Sequence, residues 1–163
     1  MGKSEWFWMD TTIQTSGRGY SSTKRFSNLP CSHRAWAHDG HCHHIHGYSR
    51  EFTFHFACNK LTKEGFVVDF SALKELRKWL EYMFDHTMLI NEDDPEIELF
   101  KELHLKDIIQ LRVLPNCSME GTAKFVYDWA NDWLSTNHNL AWCYKVEVRE
   151  NDKNSASYKV REG

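Results

Sequence analysis

The sequence contains few prolines, no excess of either charge and no long hydrophobic run, and each shortage excludes a class of protein. Three of its 163 residues are proline and 41% are hydrophobic, unlike a disordered or low-complexity chain. Its 20 basic and 23 acidic residues leave no positive excess for a nucleic-acid backbone. No segment approaches the ~20 apolar residues of a membrane span. We expect no nucleic-acid partner and no membrane association.

Cysteine pairs at regular spacing are also missing. The five cysteines, an odd number, do not have the spacing of a zinc ribbon or of a disulfide scaffold. Residues 6–9 form an apolar run shorter than the ~7 to 15 residues at the centre of a signal peptide. We therefore expect reduced thiols and a cytoplasmic location. The length suits one domain, which we place at residues 25–163, after a polar N-terminal arm at residues 1–24.

Periodic apolar residues predict an α+β fold. Residues 46–57 alternate as a strand, with His46 and Tyr48 on the same, inward face as three phenylalanines. Helical spacing predicts one helix ending near residue 84 and a second beginning near Ser118. Residues 141–150 and 156–161 are predicted to form a hairpin, and residues 66–68 a short strand. Within residues 96–114 we expect a short helix and a strand. The pattern indicates an antiparallel sheet covered by two helices.

The unusual segment of the chain is residues 31–48, which holds six of the ten histidines. Zinc binds neutral imidazole nitrogens and keeps an open position in catalytic sites. A solvated His-rich loop is the alternative, but an inward His46 needs a partner or a metal. Cys42 precedes His46 by four residues, and a nearby cation favours the reactive thiolate. The segment predicts a zinc site beside a reactive thiol.

Two later groups are candidates for the same site. Asp85 and His86 follow the first predicted helix, where a carboxylate and an imidazole can share a proton; helix capping is the alternative. Glu150 is in phase with the apolar residues of its strand, which places an acid on a buried row. The alternative for Glu150 is an exposed position at a fraying strand end.

In order along the chain, these segments resemble the 6-pyruvoyl-tetrahydropterin synthase and 6-carboxy-tetrahydropterin synthase superfamily. Each segment is weak alone, but six of them occur in the right order. They are SHR (32–34), CHHIHGY (42–48), GFVVDFSALK (65–74), FDHTMLIN (84–91), NCSMEGTA (116–123) and VEVREND (146–152).

The resemblance implies the tunnelling fold (T-fold), with a four-stranded antiparallel sheet covered by two helices. It also implies a homohexamer, built as a dimer of trimers, with active sites between subunits and a small pterin as substrate. Carried over by position, the resemblance implies that Cys42 is a proton-abstracting thiol and that Asp85 and His86 form a proton relay. Glu150 would anchor the pterin, and Ser118 and Glu120 would frame the pocket. His33 and His46 would be zinc ligands.

The interval between Cys42 and His46 resembles that of the bacterial 6-carboxy enzymes. It implies a zinc-dependent lyase that converts 7,8-dihydroneopterin triphosphate to 6-carboxy-5,6,7,8-tetrahydropterin in the queuosine and 7-deazaguanine pathway. A 6-pyruvoyl-tetrahydropterin synthase, and a pterin-binding relative that has lost its chemistry, are the alternatives.

The chain departs from the family at the third zinc ligand. Where the family has His-Gly-His, this chain has His46-Gly47-Tyr48. His41 from the preceding loop is the replacement that we favour. His44 and a Tyr48 phenolate are the other candidates, and loss of zinc is a further outcome.

Overall fold

The computed structural model describes residues 19–138 and 140–160. Within them, six strands form one sheet in the order β4-β3-β1-β2-β5-β6. The strands are β1 Tyr20–His33, β2 His46–Cys58, β3 Thr87–Asn91, β4 Leu111–Leu114, β5 Ala141–Arg149 and β6 Ser155–Lys159. The helices are α1 Lys74–Phe84, α2 Ile97–Leu105 and α3 Met119–Asn137. β2 pairs antiparallel with β1 and β5, as does β6 with β5, whereas β3 pairs parallel with β1 and β4.

The α+β class is confirmed, but the predicted counts of four strands and two helices are too low for the described residues. α2 and β4 lie within residues 96–114, where a short helix and a strand were predicted, whereas β3 was not predicted. β3 and β4 extend the sheet beside β1 with parallel pairing. The predicted strand at 66–68 is wrong: these residues form a bend whose Val67 and Val68 are buried in the core. β1 begins at Tyr20, so residues 20–24 of the predicted arm lie in the sheet, and residues 1–18 lie outside the described residues.

The core lies between the sheet and the helices α1 and α3. Phe52, Phe54 and Phe56 of β2 are fully buried, which confirms the alternation predicted for this strand. Ser118 caps α3 by accepting a hydrogen bond from the Gly121 amide, which confirms the predicted helix start. No helix in the described part of the chain is both long and apolar enough to cross a membrane.

One end of the sheet is open, and this end contains the candidate site. β5 ends at Arg149, opposite Glu51 of β2, so within the described part of the chain the first residues of β2 have only β1 as a paired neighbour. Tyr48 is 44% exposed, although its phase predicted an inward position. Among the described residues no strand pairs with this stretch of β2 on its β5 side, which leaves Tyr48 open to solvent.

Candidate active site and metal centre

The register between β1 and β2 places two histidines opposite each other. His33 pairs with His46, and their ring centroids lie 4.4 Å apart. His33 is only 6% exposed, and its Nδ1 has no hydrogen-bond partner. Burial lowers the pKa of His33 to about 3, and the charges of Arg50 and His46 act in the same direction. His33 is therefore a neutral imidazole at physiological pH, which is the form that binds metals.

His46 is held in one orientation by the backbone. Its Nδ1 lies 2.7 Å from the carbonyl oxygen of His44. A carbonyl only accepts hydrogen bonds, so Nδ1 carries the proton in the neutral ring and Nε2 keeps its lone pair. A hydrogen bond of this kind is what orients a metal-binding histidine.

A carboxylate completes a group of three donors. One ligand atom each from His33, His46 and Glu150 lies within 4.8 Å of the other two, and among the described residues no other three His, Cys, Asp or Glu side chains meet that condition. Glu150 follows the last residue of β5, and its amide donates to the Asn154 carbonyl in the hairpin turn. Two imidazoles and a glutamate are the protein ligands of a known class of catalytic zinc sites. These residues fit a divalent metal ion.

The predicted ligand His41 and the predicted thiol Cys42 lie in a 3-10 turn at His41–His43. Both are exposed, and His41 is not part of the group of three. The Ala35 amide donates to the Cys42 carbonyl at 2.8 Å and closes the loop. Cys42 is the exposed cysteine of the five, and none of the five forms a disulfide.

This loop is tied to the rest of the protein by a buried ion pair. Arg34 donates to both carboxylate oxygens of Asp94, at 2.7 and 2.6 Å. Trp36 donates from Nε1 to Asp93 at 3.1 Å. Because Arg34 directly follows His33, the ion pair also holds the end of β1 in place.

Asp85 and His86 form a hydrogen-bonded pair at the end of α1. Their Oδ1 and Nδ1 atoms are 2.6 Å apart, and the His86 side chain is 83% exposed. His86 has a positive φ of 56°, and its amide donates to the Pro30 carbonyl. His86 lines a cavity of about 660 Å³ together with Tyr48, and Asp85 lines another of about 490 Å³ between β1 and α1.

The start of α3 lies beneath the site, and one residue there was not predicted. Arg50 is 1% exposed and donates to the Thr122 hydroxyl at 2.8 Å and to the Cys117 carbonyl at 3.1 Å. The ion pairs of the described residues do not include it. The signal in the sequence was a charged residue in phase with three buried phenylalanines. Of the predicted pocket residues, Ser118 is occupied as the α3 cap and Glu120 is exposed in its first turn.

A sheet covered by helices, with a histidine pair at its open end, defines an α+β protein of the T-fold class. The family model described as 6-pyruvoyl tetrahydropterin synthase matches residues 22–161, and the chain belongs to this family.

Several relatives carry the name 6-carboxy-5,6,7,8-tetrahydropterin synthase. The Rickettsia typhi protein is 38% identical over 71 residues, which are 43% of this chain and 51% of the relative. The Bacillus subtilis protein is 27% identical over 124 residues, 76% of this chain and 74% of the relative. The match thus spans about half the length of the Rickettsia relatives.

Solved structures share the fold at low sequence identity. An uncharacterized protein from Wolinella succinogenes has a TM-score of 0.77 at 17% identity, covering 89% of this chain and 100% of the other. The 6-pyruvoyl tetrahydropterin synthase of Caenorhabditis elegans has a TM-score of 0.59 at 19% identity, covering 88% and 97%.

Proposed function

We propose that the protein is a zinc-dependent lyase that converts 7,8-dihydroneopterin triphosphate to 6-carboxy-5,6,7,8-tetrahydropterin. Water is consumed, and acetaldehyde and triphosphate leave. The observation that carries the proposal is the pairing of the buried His33 with the half-buried His46, with Glu150 beside them, in a chain similar to proteins named for this product. The product would serve 7-deazaguanine and queuosine synthesis.

In this proposal His33 and His46 hold the zinc ion. A zinc ion held there would supply a Lewis acid that polarises the oxygens of the substrate side chain and acidifies the neighbouring C–H bonds. Cys42, on the exposed turn before β2, accepts the proton as a thiolate. Asp85 and His86, already hydrogen-bonded to each other, deliver protons to the leaving groups.

The pterin ring is proposed to bind beside Glu150. A carboxylate oxygen accepts hydrogen bonds from the 2-amino and ring N–H groups of a guanidine-like edge. Ser118 and Glu120, at the start of α3, would frame the same pocket.

The active unit is proposed to be a cytoplasmic homohexamer, a dimer of trimers, with sites between subunits. The terminal strands β4 and β6 each have one neighbour in the sheet of the described residues, which leaves edges for pairing with other copies. Ile45 and Tyr48, next to the site, are 57% and 44% exposed. An apolar surface of this kind is suited to contact with a second subunit.

The test is incubation of the purified protein with 7,8-dihydroneopterin triphosphate and identification of the pterin formed. The proposal expects 6-carboxy-tetrahydropterin and one acetaldehyde per turnover. A pyruvoyl product without acetaldehyde would indicate the 6-pyruvoyl reaction instead. No turnover by metal-loaded protein would indicate a pterin-binding relative that has lost its chemistry. The observation in favour of this alternative is Tyr48, which stands where the family has a zinc ligand.

A further inference from the structure

The site has two histidines for a metal that needs at least one more protein ligand, and Tyr48 occupies the position of the expected third. We infer that Glu150 is this third ligand, so that His33, His46 and Glu150 hold the ion. The inference rests on the proposed function for the presence of a metal. It gives Glu150 a role at the metal that the family resemblance does not imply.

The geometry favours Glu150 because its carboxylate already lies near both rings. The three ligand atoms fall within 4.8 Å of one another, whereas two bonds of ~2.2 Å to one ion span at most ~4.4 Å. The excess is small, so a small side-chain adjustment brings the three atoms within reach of one ion. His33 adds an independent observation, because the residue is 6% exposed and its Nδ1 has no hydrogen-bond partner.

The other candidates are placed less well. Tyr48 is 44% exposed, and its ring lies edge-on to His46 with the centroids 6.2 Å apart. His44 stacks on His43 at a centroid distance of 3.8 Å. His41 is exposed in the 3-10 turn and does not belong to the group of three.

Charge favours a carboxylate over a phenol or an imidazole. The buried Arg50 lies close enough to affect the pKa of His33, so the site already contains a positive charge. A divalent ion adds two more, and neutral imidazoles offset none of them. Glutamate side chains are ionised at neutral pH, whereas phenols lose a proton only near pH ~10. Glu150 therefore supplies the negative charge that this centre needs.

A carboxylate has two oxygens, so one can bind the metal while the other still accepts a hydrogen bond. Loss of the side chain would then weaken metal and substrate together, whereas a pure substrate anchor would leave the metal in place. This difference makes the assignment testable without turnover.

The experiment measures zinc in untagged protein, by elemental analysis and by competition with a chromophoric chelator. We expect Glu150→Gln to weaken zinc binding by more than about 100-fold, because loss of an outer partner alone weakens it by 10- to 100-fold. The matched control is Glu147→Gln, on the opposite face of β5 and paired with Lys145 and Arg149. This control, Tyr48→Phe and His41→Ala should bind zinc within about threefold of the wild type.

A rescue variant separates a lost ligand from a damaged fold. The double variant Glu150→Gln, Tyr48→His rebuilds a three-histidine set and should regain most of the lost affinity. X-ray absorption of zinc-loaded wild-type protein should show two imidazoles and an oxygen donor, whether or not the variants fold.

Three results would overturn the inference: three imidazoles around the ion, near-normal zinc in Glu150→Gln, or no zinc binding by the wild type. A failure of the proposed function alone would give a different result. Glu150→Gln would lose zinc affinity as expected, but the zinc-loaded wild type would form no pterin product.

Discussion

Replacing Arg34 with alanine removes one partner of the buried ion pair that fixes the loop carrying Cys42. The Asp94 side chain is fully buried, whereas that of Arg34 is 18% exposed. Burial raises the pKa of Asp94, but hydrogen bonds from Arg34 and the Glu96 amide outweigh it and hold the pKa below its usual value. Arg34→Ala therefore leaves a buried carboxylate without its cation.

The free energy of unfolding should fall by ~3 to 5 kcal/mol, the usual effect of removing one member of a buried ion pair. For a domain of this length each kcal/mol lowers Tm by ~2 to 4 °C, so Tm should fall by roughly 6 to 20 °C. Adding Asp94→Asn removes the stranded charge, and the double variant should be more stable than Arg34→Ala alone. Thermal unfolding of the wild type, both single variants and the double variant gives the coupling energy.

The pH dependence supplies a second check on the same pair. The pKa of Asp94 is depressed in the folded protein, so its contribution to stability is present above the unfolded value of ~4 and is lost as pH falls through the folded value. The difference in free energy of unfolding between the wild type and Arg34→Ala should become smaller below pH ~4. A loss under ~1 kcal/mol at pH 7, or a gap that widens in acid, would refute the reasoning.

Three further predictions test other parts of the site. In native protein a thiol reagent should modify Cys42 rapidly, while Cys31 and Cys143, whose pKa values burial raises to about 11 and about 12, react slowly; a second fast thiol would contradict this. Gly47→Ala places a Cβ 2.6 Å from the Cys31 carbonyl, and this overpacking should destabilise by ~1 to 3 kcal/mol and weaken zinc binding, as measured by unfolding and chelator competition. Ser118→Ala removes the α3 cap and should lower the free energy of unfolding in urea by ~1 kcal/mol.

The sheet was predictable from sequence where one face is buried and the other is not. β2 alternates strictly between buried and half-buried residues from Arg50 to Cys58, and this period was visible in the sequence. β3 has four buried residues in succession followed by a half-buried one, because it lies between β1 and β4 and also packs against helices. A short apolar run of this kind has no period of two, so it was missed.

The site was predictable in its histidines but not in its third group. His46 was singled out by its residue type and its phase in the strand, and His33 by the family resemblance. The approach of Glu150 to them depends on where β5 ends along β2, and the pairing of Arg149 with Glu51 sets that end. The sequence contains the phase of Glu150 but not this register, so an inward acid was expected without its neighbours.

The three donors come from the ends of three adjacent strands, and this explains how a substitution at Tyr48 can leave a metal centre. His33 ends β1, His46 begins β2, and Glu150 follows β5. The strand order β1-β2-β5 therefore brings these three residues together without a ligand from Tyr48. Comparison with the family's His-Gly-His segment, position by position, shows a lost ligand at Tyr48. The sheet instead offers a donor about 100 residues further along the chain, and the buried Arg50 favours one that carries negative charge. Such a centre depends on the β5 end, so its metal affinity should respond to changes in that hairpin as well as in the histidine segment.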